Sequence, residues 1–180
     1  MEKAVTSTRG SLFNMLHAGS AHVYETLYPI LFRIAYRICG NRNKAEDICQ
    51  EAFIKYFERG EPLPDLEQTK YWLIRVLRNL ALNHEKKKSR ESKAYQRLAR
   101  NSRQYTESGE TEVLQEETRS LVQQALDRLP YKLRSVLVLK EYADLGYREI
   151  SRILGISEGN VKVRVFRARE RLALLLEDEL

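Results

Sequence analysis

The twenty residues that begin at Tyr147 constrain this chain more than any other stretch. With Tyr147 opening a helix, the small Ser151 falls where two helices must approach closely. Gly155 falls in the turn between them, where a positive φ is cheap only for glycine. Ile150, Leu154, Ile156, Val161 and Val165 supply a shared core. Ser157 is a good N-cap for the second helix, and Glu158 suits its positive N-terminal end. Five kinds of constraint agree on a helix-turn-helix, although an ordinary αα-hairpin satisfies some of them. In the second helix Val161 and Val165 face inward, so Asn160, Lys162, Val163, Arg164 and Arg167 are expected to project outward. They lie near the half of the helix that enters a major groove in this motif. Arginine can read guanine bidentately and asparagine can read adenine. Arg169 and Arg171 suit phosphates or plain surface charge.

The rest of the chain is helical by period, and no strand-like alternation or internal repeat competes with that reading. From about Ala21, Leu27, Leu31, Ile34, Ala35 and Ile38 form one buried stripe, stopped by Gly40-Asn41. Between Lys44 and Glu58 the stripe is Ala45, Ile48, Cys49, Ala52, Phe53, Tyr56 and Phe57. "GEPLPD" (60–65) must be a loop, because two prolines and a glycine cannot continue a helix. A third helix, Lys70 to Lys87, carries Leu73, Val76, Leu77, Leu80 and His84 inward. Ser89 to Gly109 reads as a tether with some helical content. Helical pattern resumes near Val113 and runs to Leu129, where Pro130 breaks it, and shorter helices follow at Lys132–Tyr142, Tyr147–Leu154 and Glu158–Leu176. Met1 to Ser20 reads as a tail or a short extra helix.

Formal charge is +6, unevenly placed. Tyr71 to Gln104 holds ten Lys/Arg against two Glu, whereas Tyr105 to Thr118 holds five Glu and no basic residue. Such blocks suggest a polyanion-facing surface followed by an acidic linker, though solvated helix faces would look similar. Cys39 and Cys49 are the only cysteines, and with His17, His22 and His84 they form no metal-ligand spacing. A disulfide framework, a metal site and a cofactor are therefore not expected, and a reducing cytoplasm is the natural location. No signal peptide or run of transmembrane length is seen, so no direct membrane insertion is expected.

Two faces of the N-terminal half call for partners. Opposite the stripe of the second helix lie Asp47, Gln50, Glu51 and Ile54, an acidic and amide face with an apolar residue among them. That is a poor DNA surface and a plausible protein-docking one, or a solvated face. On the third helix Trp72, Arg75, Asn79 and, less perfectly, Asn83 lie at i, i+3, i+7 and i+11, with Lys86 and Lys87 extending the same side. An aromatic, a cation and carboxamides along one face suit stacking and edge-reading of unpaired bases. Trp72 also fits a core position.

In order and spacing, "YETLYPILFRIAYRI", "AEDICQEAFIKYF", "YWLIRVLRNLAL" and "LPYKLRSVLVLKEYADLGYREISRILGISEGNVKVRVFRARERL" resemble the successive regions of a bacterial RNA polymerase sigma factor of the extracytoplasmic-function (ECF) type, in the sigma-70 family. The resemblance spans about Ala21 to Leu176. It implies an all-α chain of two small helical domains joined by a flexible linker: a tail at 1–20, a region 2-like bundle at 21–92, a linker at 93–116 and a region 4-like helix-turn-helix domain at 117–180. It further implies that Asp47, Gln50 and Glu51 dock on the clamp helices of the polymerase β′ subunit, with contacts to the β subunit as well. The tryptophan helix would melt the −10 element and capture its non-template strand, with Asn79 at the pocket for a flipped base. Lys140, Lys162, Arg164 and Arg167 would hold the −35 duplex. Family members frequently have Thr and Ser where this chain has Asn160 and Val163, which implies a different −35 preference. Asn83 stands where an aspartate is common. The acidic residues Glu107, Glu110, Glu112, Glu116 and Glu117 are expected to thread a basic channel of the enzyme or to shield the basic modules. An anti-sigma protein is the expected regulator, and no C-terminal sensing extension is expected. The chain itself is expected to catalyse nothing. An activator or repressor with the same motif is the main rival reading, but it leaves the faces around Asp47 and Trp72 without purpose. An RNA-binding protein or a nucleic-acid enzyme fits less well still.

Overall fold

A computed structural model describes residues 3–59, 61, 63–98 and 115–177. Among these residues the chain forms seven helices and no strand: α1 (Lys3–Cys39), α2 (Arg42–Phe57), α3 (Leu66–Leu98), α4 (Gln115–Arg128), α5 (Tyr131–Tyr142), α6 (Tyr147–Leu154) and α7 (Glu158–Glu177). Helix ends follow local chemistry. Gly40, at φ 66°, ends α1 and donates its N–H to the Tyr36 carbonyl at 2.8 Å. One residue later the Asn41 side chain accepts from the Lys44 N–H at 3.0 Å and so caps α2. Asp65 does the same for α3, accepting from the Gln68 N–H at 2.7 Å.

Helices α1, α2 and α3 pack against one another, α1 and α2 largely through the predicted stripes. Helix α3 packs through a face turned from the predicted one, with Ile74 and Ala81 buried and Val76 and Leu80 only half-buried. Leu27, Leu31, Ile34, Ala35 and Ile38 of α1 meet Ala45, Ile48, Cys49, Ala52 and Phe53 of α2 and Leu73, Ile74, Leu77 and Ala81 of α3. Two stripes end earlier than the period suggests. Phe57 is 46% exposed, and His84 is exposed. Two elements run longer than the apolar pattern does. Helix α1 extends back to Lys3, so the segment read as a tail or short helix is continuous with it from there. Helix α3 continues to Leu98 through a basic segment whose Lys, Arg, Glu and Ala are good helix formers in their own right.

Helices α4 to α7 form the C-terminal module. Val136, Val138, Leu139, Ile150, Ile153, Val161 and Val165 belong to the same apolar cluster as the N-terminal stripes. Leu126, Leu129, Leu137 and Ala168 form a second cluster between α4, α5 and α7. The two modules therefore pack directly on each other, and polar groups line the contact. The Arg37 guanidinium donates to the Gln123 side chain at 3.1 Å and lies 5.3 Å from the Tyr142 ring centre. Arg134, only 6% exposed, reaches Asp127 at 3.3 Å and Glu85 at 3.5 Å. The Tyr131 hydroxyl donates to the Arg78 carbonyl at 3.3 Å, and that of Tyr71 to the Glu149 carbonyl at 3.5 Å. The segment at 99–114, with Glu107, Glu110 and Glu112, lies outside the described residues, while Glu116 and Glu117 fall within α4.

Candidate nucleic-acid interface and docking face

The helix-turn-helix forms as its residues dictate. Gly155 adopts φ 66°, ψ 39° and closes α6 with its N–H on the Ser151 carbonyl. The Glu149 carboxylate accepts from the Gly146 N–H at 2.7 Å and holds the start of α6. The Ser157 hydroxyl accepts from the Asn160 N–H at 3.3 Å, which satisfies an otherwise orphaned donor at the start of α7. Val161 and Val165 are fully or nearly fully buried, and this fixes the rotation of α7.

That rotation exposes Asn160, Lys162, Val163 and Arg167. Arg164 is half-buried, one turn from both Val161 and Ala168 on the flank of the buried stripe. Phe166 is 62% exposed beside Val163, an apolar contribution to this face that the charge pattern of the sequence concealed. Arg169 is held by Glu141 of α5 at 2.6 Å, and that hydrogen bond raises its pKa further. Lys140, half-buried, donates to the Leu145 carbonyl at 3.2 Å with its ammonium 5.2 Å from the Tyr147 ring centre. Lys162 pairs with Glu158 at 3.2 Å and also lies over Tyr147, at 5.8 Å.

On α2, Asp47, Gln50, Glu51 and Ile54 share one exposed face opposite the buried stripe, with Ile54 54% exposed. Glu51 is lightly paired with Lys55 at 3.5 Å, a surface contact of little energetic weight. Phe57 and Tyr24 add exposed aromatic surface, and both rings contact Phe53.

Trp72 of α3 is half-buried. Its ring packs 6.2 Å from Tyr56, and the Arg59 guanidinium covers it at 5.2 Å. It is thus part core and part surface. Arg75, Asn79, Asn83, Lys86 and Lys87 are exposed along α3. The Asn79 carbonyl oxygen accepts from Arg78 at 3.0 Å. The structure gathers the −10 candidates on one helix and the −35 candidates on α5 and α7, on separate modules. Among the described residues no group of acidic, histidine and cysteine side chains is arranged to hold a metal ion, and no helix is long and apolar enough to cross a membrane.

Comparison with known proteins agrees with this geometry. Residues 23–91 match the family described as Sigma-70 region 2, and residues 119–172 match Sigma-70, region 4. The chain is 33% identical over 166 residues to the ECF RNA polymerase sigma factor SigW of Bacillus subtilis (strain 168), covering 88% of this chain and 89% of that one. It is 31% identical over 159 residues to the ECF RNA polymerase sigma factor EcfG of Rhodopseudomonas palustris (strain TIE-1), covering 82% and 80%. Among solved structures it resembles the sigma factor RpoE, in complex with the anti-sigma factor NepR, from Bartonella quintana. The TM-score there is 0.63 at 25% identity, over 86% of this chain and 94% of that one. CnrH, in complex with the cytosolic domain of CnrY, shares the fold at TM-score 0.64 and 19% identity, over 91% of each chain.

Proposed function

The chain belongs to the sigma-70 family, as an RNA polymerase sigma factor of the ECF type, and from that premise we propose how its residues divide the work. The exposed Asp47, Gln50, Glu51 and Ile54 dock on the β′ clamp helices of core RNA polymerase, with further contacts to the β subunit. The α3 face melts the −10 element and captures its non-template strand. Trp72 and Arg75 stack against unpaired bases, Asn79 holds a flipped base, and Asn83, Lys86 and Lys87 follow the backbone. Unstacking a base costs on the order of a few kcal/mol, offset by the pocket contacts. The −35 duplex lies along α7, with Asn160, Val163, Arg164 and Arg167 toward base edges and Lys140 and Lys162 toward phosphates. The chain contributes placement, and nucleotide addition belongs to the polymerase. Its location is the cytoplasm, with the polymerase it serves. An anti-sigma protein binds the chain and holds it inactive, a reading supported by the solved relative in complex with the anti-sigma factor NepR.

The observation that carries this reading is the helix-turn-helix, with Val161 and Val165 buried and the basic and amide side chains of α7 exposed. A free-standing activator would account for that motif. It would leave unexplained the match of residues 23–91 to region 2. Permanganate footprinting of the reconstituted holoenzyme on a cognate promoter tests the division of labour. Reactive thymines across the −10 element are expected with the native chain, and far fewer with Asn79→Ala at equal promoter occupancy. Unchanged melting in that variant would remove Asn79 from the proposed pocket.

A further inference from the structure

Lys140 and Lys162 come from different helices, yet both ammonium groups converge on one ring. Lys140 ends α5 and lies 5.2 Å from the centre of Tyr147; Lys162 belongs to the first turns of α7 and lies 5.8 Å from it. Tyr147 is the first residue of α6, so a single aromatic ring ties together all three helices of the motif. Lysine side chains carry about 2 kcal/mol of rotamer entropy, and two like charges sharing a site repel. Both tendencies would scatter these ammonium groups over the surface. Three contacts oppose them: the negative face of the Tyr147 ring acting on both, the Leu145 carbonyl on Lys140 at 3.2 Å, and Glu158 on Lys162 at 3.2 Å. The Glu158 pair is exposed on both sides and adds little. The ring is a contact that the two lysines have in common.

We propose that Tyr147 is a positioning residue that holds Lys140 and Lys162 in place as phosphate contacts of the −35 duplex. The proposal rests on the reading of both lysines as −35 contacts. Its added content is that the ring orders them before DNA arrives, so their entropy is lost on folding and not on binding.

The test uses the full chain assembled with core polymerase and a fluorescein-labelled −35 duplex, selected by the holoenzyme from a random-sequence library. Tyr147→Phe keeps the ring face and should bind within about twofold of the native chain. Tyr147→Leu, and pentafluorophenylalanine at position 147, remove or reverse the ring's negative face; the second does so with little change of size, which keeps the test sound if the leucine variant folds poorly. Both should weaken binding by about three- to tenfold. The slope of log affinity against log salt should become shallower by about one phosphate contact's worth, roughly 0.9. In a Lys140→Ala/Lys162→Ala background the same changes at 147 should cost nothing further. Native-like binding by the pentafluoro variant would overturn the proposal. So would an equal loss in the lysine-free background, since that marks a merely structural ring. Undiminished binding by the lysine double variant itself would instead overturn the assignment of these lysines to DNA, and the positioning role with it.

Discussion

At the level of single residues, glycines and thiols show how far local chemistry reaches. Gly155 was legible because capping, turn and core signals surround it. Gly40 was legible only as a helix stop. Its second constraint, an Asp127 carboxylate lying where a Cβ would go, joins residues far apart in the chain and leaves no local trace. Gly40→Ala is therefore expected to cost more than the roughly 1–2 kcal/mol of the left-handed backbone alone, read as a lower urea midpoint at unchanged m-value. Cys49 is a buried thiol and Cys39 a half-buried one. Burial pushes Cys39 up to about 11 and Cys49 up to about 12, so both stay protonated at neutral pH. Iodoacetamide at pH 8 should label the folded chain about tenfold or more slowly than the urea-unfolded one. Because these folded-state values lie above the ordinary 9.0, the stability they contribute is complete below about pH 9 and declines as pH rises through 11.

At the level of elements, periodicity located the stripes of α1 and α2 and the limits of α6, because apolar residues at i, i+3 and i+4 must be covered by a neighbour. On α3 it placed Val76 and Leu80 inward, where Ile74 and Ala81 are the buried residues. It failed at stripe ends. Phe57 and His84 continue the period but are exposed, and a single helix's sequence carries no information about where its partners stop. It also missed the half-burial of Arg164, whose long stem can lie along the apolar flank while its head stays in water. The exposed face of α7 should therefore act unevenly. Arg167→Ala is expected to weaken −35 binding by about 1–3 kcal/mol and relax preference at one base pair. Arg171→Ala should weaken all sequences alike. Binding selections on a randomised −35 duplex distinguish the two outcomes.

At the level of the whole molecule, the contact between modules was the least legible feature. Arg37, Glu85, Gln123, Asp127 and Arg134 look like solvent-facing residues of amphipathic helices, yet they line the seam. Gln123 and Arg134 are the buried members, Arg134 with its Nε unpartnered, while Glu85 and Asp127 remain about 40% exposed. Partial exposure tempers the cost of losing Arg134, so Arg134→Ala should destabilise the chain by about 1–3 kcal/mol. One continuous apolar cluster runs through both modules, and the native chain should accordingly melt in a single transition that Arg134→Ala broadens or splits. The central claim concerns a larger assembly, in which this chain is the promoter-selecting subunit of RNA polymerase. Its most direct test is a titration of the purified chain against core RNA polymerase, alongside the Asp47→Ala/Gln50→Ala/Glu51→Ala variant. Those three side chains are exposed, so the variant should fold and melt like the native chain. The account predicts tight binding by the native chain and binding weakened by about tenfold or more in the triple variant. Equal binding by both would contradict the placing of the docking face on α2, and no binding of the native chain to a competent core would contradict the account as a whole.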